Sequence, residues 1–218
     1  MEEQAGYLAG YAAVKDGLKK LGFLGGQDIP PVARYGYGYI QGANAAATEL
    51  GITGEVEINY WYGNTFSPSD DVYNKMSGWY TQGTEVVFAC GGKIYQSATK
   101  AATAAGKKVI GVDTDQAADS PTIITSALKG IANSVSLVLA DLYNNGGKWP
   151  ANLAGQAATL GAANDCVGLP TATESWRFTT YTVADYEALF AKIKSGEIVV
   201  NNNTEVQPTV AIKVNYEQ

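Results

Sequence analysis

Five short apolar runs, separated by stretches with helical spacing, dominate the first 130 residues of the chain. The run 109–112 is apolar at every position, which is typical of a strand covered on both faces in a parallel sheet. Small and aromatic residues recur at helical spacing between the runs, as in 7–18 and 31–50. The rhythm predicts an α/β fold with a mostly parallel sheet and helices on both faces. The predicted strands are 20–26, 55–62, 85–89, 109–112 and 122–127.

The rhythm changes after residue 130. A predicted amphipathic helix, 130–143, is followed by a looser Gly- and Ala-rich stretch with at most one strand. A further helix, 183–194, and a short strand, 209–216, end the chain. We therefore divide the sequence into three parts. They are an α/β domain (1–130), a crossing segment with one helix (131–169), and a returning helix with its tail (170–218).

Two carboxylates one residue apart, Asp113 and Asp115, follow the fourth predicted strand. In open α/β sheets, ligands lie outside the carboxyl ends of the strands, so either side chain could hold a polar ligand. Asp is also common in turns, so one or both could instead shape the loop. Their position alone favours neither interpretation.

The ends of the predicted strands meet at one edge of such a sheet and carry different chemical groups. Glycines let a ligand approach backbone N–H groups, aromatic rings offer flat faces, carboxylates accept from hydroxyls, and lysine donates. Together they suit a flat ring that carries a sugar. These ends are 25–26, 60–66, 88–92, 113–116 and 126–129. Four aromatic residues either line the cleft or pack the sheet edge, with packing expected for at least two: Tyr60, Trp61, Tyr62 and Phe66.

Composition excludes several classes of function. The chain has 218 residues, 15 Lys plus Arg against 21 Asp plus Glu, and a formal charge of -6, which argues against a nucleic-acid partner. It has no histidine, the commonest general base and metal ligand, so we expect neither a metal site nor a cofactor. Only the pair Asp113 and Asp115 resembles catalytic carboxylates, and no nucleophile with a base is evident. The chain is therefore not expected to be an enzyme.

Cys90 and Cys166 are isolated, without metal or redox spacing, and are expected to be small buried residues. A disulfide between them stays open at this point. No apolar run approaches the roughly 18 residues of a spanning helix. Residues 1–4 also lack the features of a signal peptide, and neither cysteine is placed as a lipid anchor.

Several blocks, in order along the chain, resemble the basic membrane protein (BMP) family, PnrA-like substrate-binding lipoproteins of nucleoside ABC importers. The blocks are "YLAGYAAV", "LGFLGGQDIPPVARYGYGYIQGA", "GTEVVFACGGKIYQS", "VIGVDTDQ" and "IITSALKG". The resemblance implies one lobe of a type I periplasmic-binding-protein fold, a flavodoxin-like parallel sheet. It also implies that the protein binds a nucleoside, with a purine nucleoside favoured, and delivers it to a permease.

Carried over position by position, the resemblance implies five ligand-binding residues. Phe88 would stack on the base, Gly91 and Gly92 would offer backbone amides, Asp113 would accept from the ribose hydroxyls, and Lys129 would donate to a ligand oxygen. Each has a structural alternative. Strand phenylalanines are usually core, glycine pairs often only make a turn, and a lysine at a strand end can be a solvated charge or a cap. Asp115, on this reading, shapes the following loop with Gln116.

The family's first lobe has no counterpart here, because the resemblance begins at the second lobe. Half a site predicts weak or absent nucleoside binding by the chain alone. The helix 130–143 normally packs on the absent lobe, so self-association through the exposed seam is expected. The family also implies an extracytoplasmic, membrane-anchored lipoprotein that works with an ABC permease.

Two other functions share this architecture. An effector-sensing domain of a regulator is one, although no basic helix-turn-helix segment is evident. A riboflavin-binding member of the same family is the other. A flavodoxin-like phosphate binder is disfavoured, because Gly25 and Gly26 are followed by Gln27 and the acid Asp28 rather than by a phosphate loop.

Overall fold

The computed structural model describes residues 1–217, and one seven-stranded sheet organises them. Neighbouring strands are parallel, except for the two-residue strand at one edge, which runs antiparallel to its neighbour. The predicted α/β fold with a parallel sheet is confirmed. The strands are β1 (Lys20–Gly25), β2 (Glu57–Tyr62), β3 (Val86–Cys90), β4 (Lys108–Asp113), β5 (Ile123–Lys129), β6 (Val167–Gly168) and β7 (Lys213–Tyr216). Their spatial order is β6-β5-β4-β3-β1-β2-β7.

Helices cover both faces of this sheet. The first two lie on one face and the next two on the other, while the last returns beside the first. Among residues 1–217, no helix is both long and apolar enough to cross a bilayer. The helices are α1 (Glu2–Lys15), α2 (Pro30–Leu50), α3 (Asp70–Thr81), α4 (Tyr95–Ala105), α5 (Ile131–Asn144) and α6 (Val183–Lys194).

Each buried strand divides its side chains between two cores, because successive side chains point to opposite faces. In β3, Val86 and Phe88 join the core under α1 and α2. Val87 and Ala89 join the core under α3 and α4. Both faces are covered, which explains why the run is apolar throughout instead of alternating.

α1 and α2 cross at four glycines, which we call the glycine seam. A Cβ built on Gly6 would overlap the Tyr35 carbonyl, and one built on Gly42 would overlap the Tyr7 carbonyl. Any larger residue would push the two backbones apart, so the glycines permit the close approach. The other members of the seam are Gly10 and Gly38.

α3 has a local cap at its start, whereas α1 begins earlier than the sequence predicts. Ser69 caps α3 by accepting from the Val72 N–H at 3.2 Å, and acidic residues lie in the first turn, near the positive end of the helix dipole. α1 begins at Glu2, five residues before the predicted start at 7. The polar residues of this added turn are buried by tertiary contacts, which the local pattern does not reveal.

α5 packs on little of the described chain, and none of its residues is buried. Its apolar side chains are left in solvent, with Ile131 59% and Tyr143 75% exposed. Trp149, in the loop that follows, is 52% exposed. The other large exposed residues of this surface, which we call the α5 surface, are Val135, Leu137 and Leu139.

Candidate functional site

A glycine turn follows β3 at the carboxyl edge of the sheet. Gly91 has φ 141° and Gly92 has φ 51°, both in the region that side-chain-bearing residues rarely adopt. Neither the Gly91 nor the Gly92 N–H donates a hydrogen bond to another atom of residues 1–217. Both backbone donors therefore lack a partner within residues 1–217, with Gly92 exposed and Gly91 buried under Phe66.

Phe66 covers this turn and is the most exposed of the four aromatic residues at this edge. Its ring lies against Gly26 and Gly91, since a Cβ on either glycine would overlap ring carbons. Its carbonyl accepts from the Lys93 N–H at 2.8 Å, which fixes the loop over the turn. The residue is 36% exposed, so part of the ring remains accessible.

The neighbouring aromatic residues mainly pack. Tyr60 is buried, and its ring stacks on Phe23 with centroids 4.5 Å apart. The hydroxyl oxygens of Tyr60 and Tyr62 lie 2.8 Å apart. Trp61 packs at the margin of the opposite core, under α3 and α4. The prediction that at least two of the four aromatic residues pack is confirmed.

Phe88 lies in the core and not at the ligand edge, which corrects the role expected for it. The residue is fully buried by the chain itself. Its ring centroid lies 5.6 Å from Phe23, 5.9 Å from Tyr35 and 5.3 Å from Tyr39. A ring enclosed by three other aromatic rings leaves no face for a base, so Phe88 acts in packing.

Asp113 ends β4 and is half-exposed at the same edge. Its backbone is left-handed, with φ 64°, a conformation that Asp tolerates better than most residues. The hydroxyl of Tyr35 donates to one carboxylate oxygen of Asp113 at 3.3 Å. The other oxygen carries no hydrogen bond from residues 1–217 and is available to a ligand hydroxyl.

Asp115 and Gln116 shape the loop after β4, as expected. One carboxylate oxygen of Asp115 accepts from the Ala117 N–H at 3.1 Å, and the other accepts from Ser175. The side-chain oxygen of Gln116 accepts from the Val112 N–H at 2.9 Å. These contacts turn the chain back toward the sheet.

Lys129 ends β5 beside Asp113, because Asp113 pairs in register with the preceding residue, Leu128. The Lys129 ammonium donates to one oxygen of Glu2 at 2.8 Å. The guanidinium of Arg34 donates to the other oxygen of Glu2 at 2.7 Å. We call these three residues the Glu2 network, and sequence reasoning missed two of them, Glu2 and Arg34.

Glu2 is almost wholly buried within this network. Burial alone would raise the pKa of its carboxyl group, but hydrogen bonds from Arg34 and Lys129 outweigh burial and lower the pKa to about 2. The Met1 ammonium lies 3.8 Å from one of its oxygens. Glu2 is therefore a carboxylate throughout the physiological pH range.

A cavity of about 430 Å³ opens beside the Glu2 network. Its wall includes Glu3, which is fully buried and whose two carboxylate oxygens have no partner among residues 1–217. Burial raises the pKa of Glu3. Ser134 from α5 and Asn202 from the tail close the other sides of the cavity.

Cys90 lies beneath the charged edge and is fully buried. Burial raises the pKa of its thiol, and the nearby charges of Asp113 and Glu2 raise it further, while that of Lys129 lowers it. All three charged groups therefore lie close enough to influence this thiol. Cys90 and Cys166 are both free thiols in this structure, so the disulfide left open by the sequence is not formed.

Comparison with known proteins places this chain in a family. Residues 1–204 match the Bmp family, described as ABC transporter substrate-binding protein PnrA-like. The chain belongs to the Bmp family. Basic membrane protein B of Borreliella burgdorferi is 32% identical over 208 residues, which are 93% of this Bmp chain and 56% of that protein.

A second Bmp relative carries a more specific name. The ABC transporter nucleoside-binding protein BmpA of Lactococcus lactis subsp. cremoris is 28% identical over 168 residues, which are 68% of this chain and 46% of that protein. The Bmp chain described here therefore spans about half the length of these curated relatives.

Solved structures share the fold. An ABC transporter solute-binding protein from Aeropyrum pernix K1 superposes with TM-score 0.72 at 23% identity, covering 94% of this Bmp chain and 66% of that chain. One from Conexibacter woesei DSM 14684 gives TM-score 0.71 at 22% identity, covering 92% and 63%. A transcriptional activator from Bacillus halodurans gives TM-score 0.64 at 17% identity, covering 95% and 65%. At these identities the likeness is one of fold alone.

Proposed function

We propose that this chain forms one wall of the nucleoside site of an ABC-importer substrate-binding protein, and that a purine nucleoside is its ligand. The observation that carries the proposal is the grouping of an exposed aromatic ring, free backbone amides, a carboxylate and a lysine along one sheet edge. The name of the Lactococcus lactis relative, a nucleoside-binding protein, agrees with it.

Each group meets one part of such a ligand. The base stacks on the accessible face of Phe66, which replaces Phe88 in this role. The Gly91 and Gly92 amides donate to polar atoms of the ligand, and the free oxygen of Asp113 accepts from the ribose hydroxyls. Lys129 has further N–H groups beyond the one given to Glu2 and donates to a ligand oxygen.

This edge is one half of a closed site. The chain covers only 56% of the first relative, so a second lobe would cover the other face of the base and supply the remaining polar contacts. A ligand on one lobe stays partly in water and forms fewer hydrogen bonds, so we expect the chain alone to bind a nucleoside weakly.

The proposed role is capture without chemistry. The closed protein would present the nucleoside to an ABC permease, working outside the cytoplasm as a lipid-anchored protein, as the family implies. A riboflavin ligand is the alternative within the family, because its flat ring and polyol chain fit the same groups. An effector-sensing domain is the alternative supported by fold alone, through the likeness to a transcriptional activator.

The α5 surface suits self-association of this chain. Its exposed Leu, Val, Ile, Tyr and Trp side chains form an apolar face that monomeric proteins seldom leave in water. Light scattering after size exclusion should give a dimer, and Leu139→Glu should shift it to monomer. A wild-type chain that is monomeric at every concentration would refute the dimer.

Nuclear magnetic resonance on the complete chain tests the nucleoside site, because it detects millimolar affinity. Titration with inosine, guanosine, uridine and riboflavin should shift the Gly91 and Gly92 amide signals most for the purine nucleosides. Asp113→Asn should reduce these shifts. The matched control is Asp119→Asn, an exposed carboxylate in the same loop. Absence of shifts with every compound, or equal effects of the two variants, would refute the proposal.

A further inference from the structure

The Glu2 network points to a basis for choosing between neutral and phosphorylated ligands. We infer that Glu2 excludes nucleotides from this edge by occupying the two cations that a phosphate group would need. The inference rests on the proposed function, since it concerns the same nucleoside site. It makes Glu2 a specificity-determining residue, although it lies on a helix that carries none of the residues proposed to contact the nucleoside.

The charges at this edge are largely paired. The nearby cations are Arg34, Lys129 and the Met1 ammonium, and the nearby acidic residues are Glu2, Asp113 and the buried Glu3. Each oxygen of Glu2 is committed to one cation, at 2.7 and 2.8 Å. Because the pKa of Glu2 is lowered to about 2, its carboxylate stays ionised at physiological pH and keeps both ion pairs.

A phosphate attached to the sugar would reach this network. Lys129 lies next to Asp113 in register, and Asp113 is proposed to hold the ribose hydroxyls. The cavity of about 430 Å³ begins at Lys129 and extends to Arg34, so it has room for a substituent on the sugar. Without Glu2, Arg34 and Lys129 would form a two-cation site of the kind that binds phosphate.

With Glu2 in place, the same phosphate meets an unfavourable environment. It would have to separate Arg34 or Lys129 from a buried carboxylate, and it would bring its own negative charge close to Glu2 and Asp113. A neutral nucleoside leaves these ion pairs intact. Discrimination therefore arises from repulsion and unpaired charge in addition to attraction for the correct ligand.

Inorganic phosphate is the direct probe, because its binding does not depend on recognition of a base. Calorimetric titration of the complete chain should show little phosphate binding by the wild type. Glu2→Gln should bind phosphate about tenfold more tightly or better. Glu197→Gln, the same change at an exposed carboxylate, should behave as wild type. Adding Arg34→Gln to Glu2→Gln should remove the gain.

Glu2 is buried, so its replacement can unfold the chain, and circular dichroism must show that each variant is folded. Glu2→Met gives a second route, because it removes the charge and keeps a side chain of similar length. Where Glu2→Gln is unfolded, this variant decides: a gain in phosphate affinity that added Arg34→Gln removes supports the inference. Folded variants with wild-type phosphate affinity would overturn it.

Inosine and inosine 5′-monophosphate titrations separate this inference from the nucleoside proposal. A shift of preference toward the monophosphate in Glu2→Gln supports both. Phosphate binding by Glu2→Gln, with no inosine binding by any chain, would refute the nucleoside proposal and leave the charge exclusion standing. Inosine binding with no phosphate gain in the folded Glu2→Gln would refute only the charge exclusion.

Discussion

Alanine at Phe88 should destabilise the fold far more than alanine at Phe66. Phe88 is fully buried and surrounded by aromatic rings, so its removal leaves a cavity in the core. Such Phe→Ala changes cost about 3–5 kcal/mol. Phe66 is 36% exposed, so Phe66→Ala removes less buried apolar surface. Because burying a whole Phe side chain is worth about 1.5–3 kcal/mol, we expect roughly 1–2 kcal/mol there.

Urea unfolding, followed by tryptophan fluorescence and far-ultraviolet circular dichroism, measures both costs from the shift in midpoint. For nucleoside binding we expect the reverse order, with the larger effect from Phe66→Ala. Phe66→Ala should remove the nucleoside-induced shifts of the Gly91 and Gly92 amides, since stacking of a base on an aromatic ring is worth about 1–3 kcal/mol. If Phe88→Ala costs no more than Phe66→Ala, the assignment of one ring to the core and the other to the ligand edge is incorrect.

Two further predictions concern stability. Because the pKa of Glu2 is lowered from 4.5 to about 2, its ion pairs stabilise the fold fully above pH 4.5 and lose this effect as the pH falls toward 2. Urea midpoints measured from neutral to acid pH should therefore fall less steeply for Glu2→Gln than for wild type, and parallel profiles would contradict this. Gly42→Ala drives a methyl group into the Tyr7 carbonyl and should lower Tm by roughly 3–10 °C. Gly78→Ala, in α3 with open space around it, should raise stability by up to about 1 kcal/mol, and equal calorimetric effects would refute the packing argument.

Much of the fold follows from local pattern. β3 and the central part of β4, 109–112, are apolar at every position, as expected for strands that are covered on both faces of a sheet. The short edge strands β6 and β7 are harder to predict, because two to four residues carry no clear period. Their existence depends on pairing with a neighbour that is distant in sequence.

The candidate edge was predicted less completely. Asp113 and the glycine turn could be placed from the position of strand ends alone. The position of Phe88 could not be predicted in this way, because hydrophobicity marks a strand residue as buried without saying under which helix it lies. Phe66 carried a readable signal, since it is an aromatic residue in a polar loop just before a helix start. Glu2 carried none, because its partners come from α2 and β5, 32 and 127 residues away.

The glycine seam limits how α1 and α2 can move relative to each other. With no side chains between the two backbones, α1 and α2 cannot slide by repacking, and a shift of one helix must carry the other. Arg34 on α2 and Glu2 on α1 therefore keep their spacing, and Tyr35, bonded to Asp113, moves with them. Under the proposed function, the edge would therefore be formed before a ligand arrives, and closure of a second lobe would move two rigid bodies without rearranging the edge.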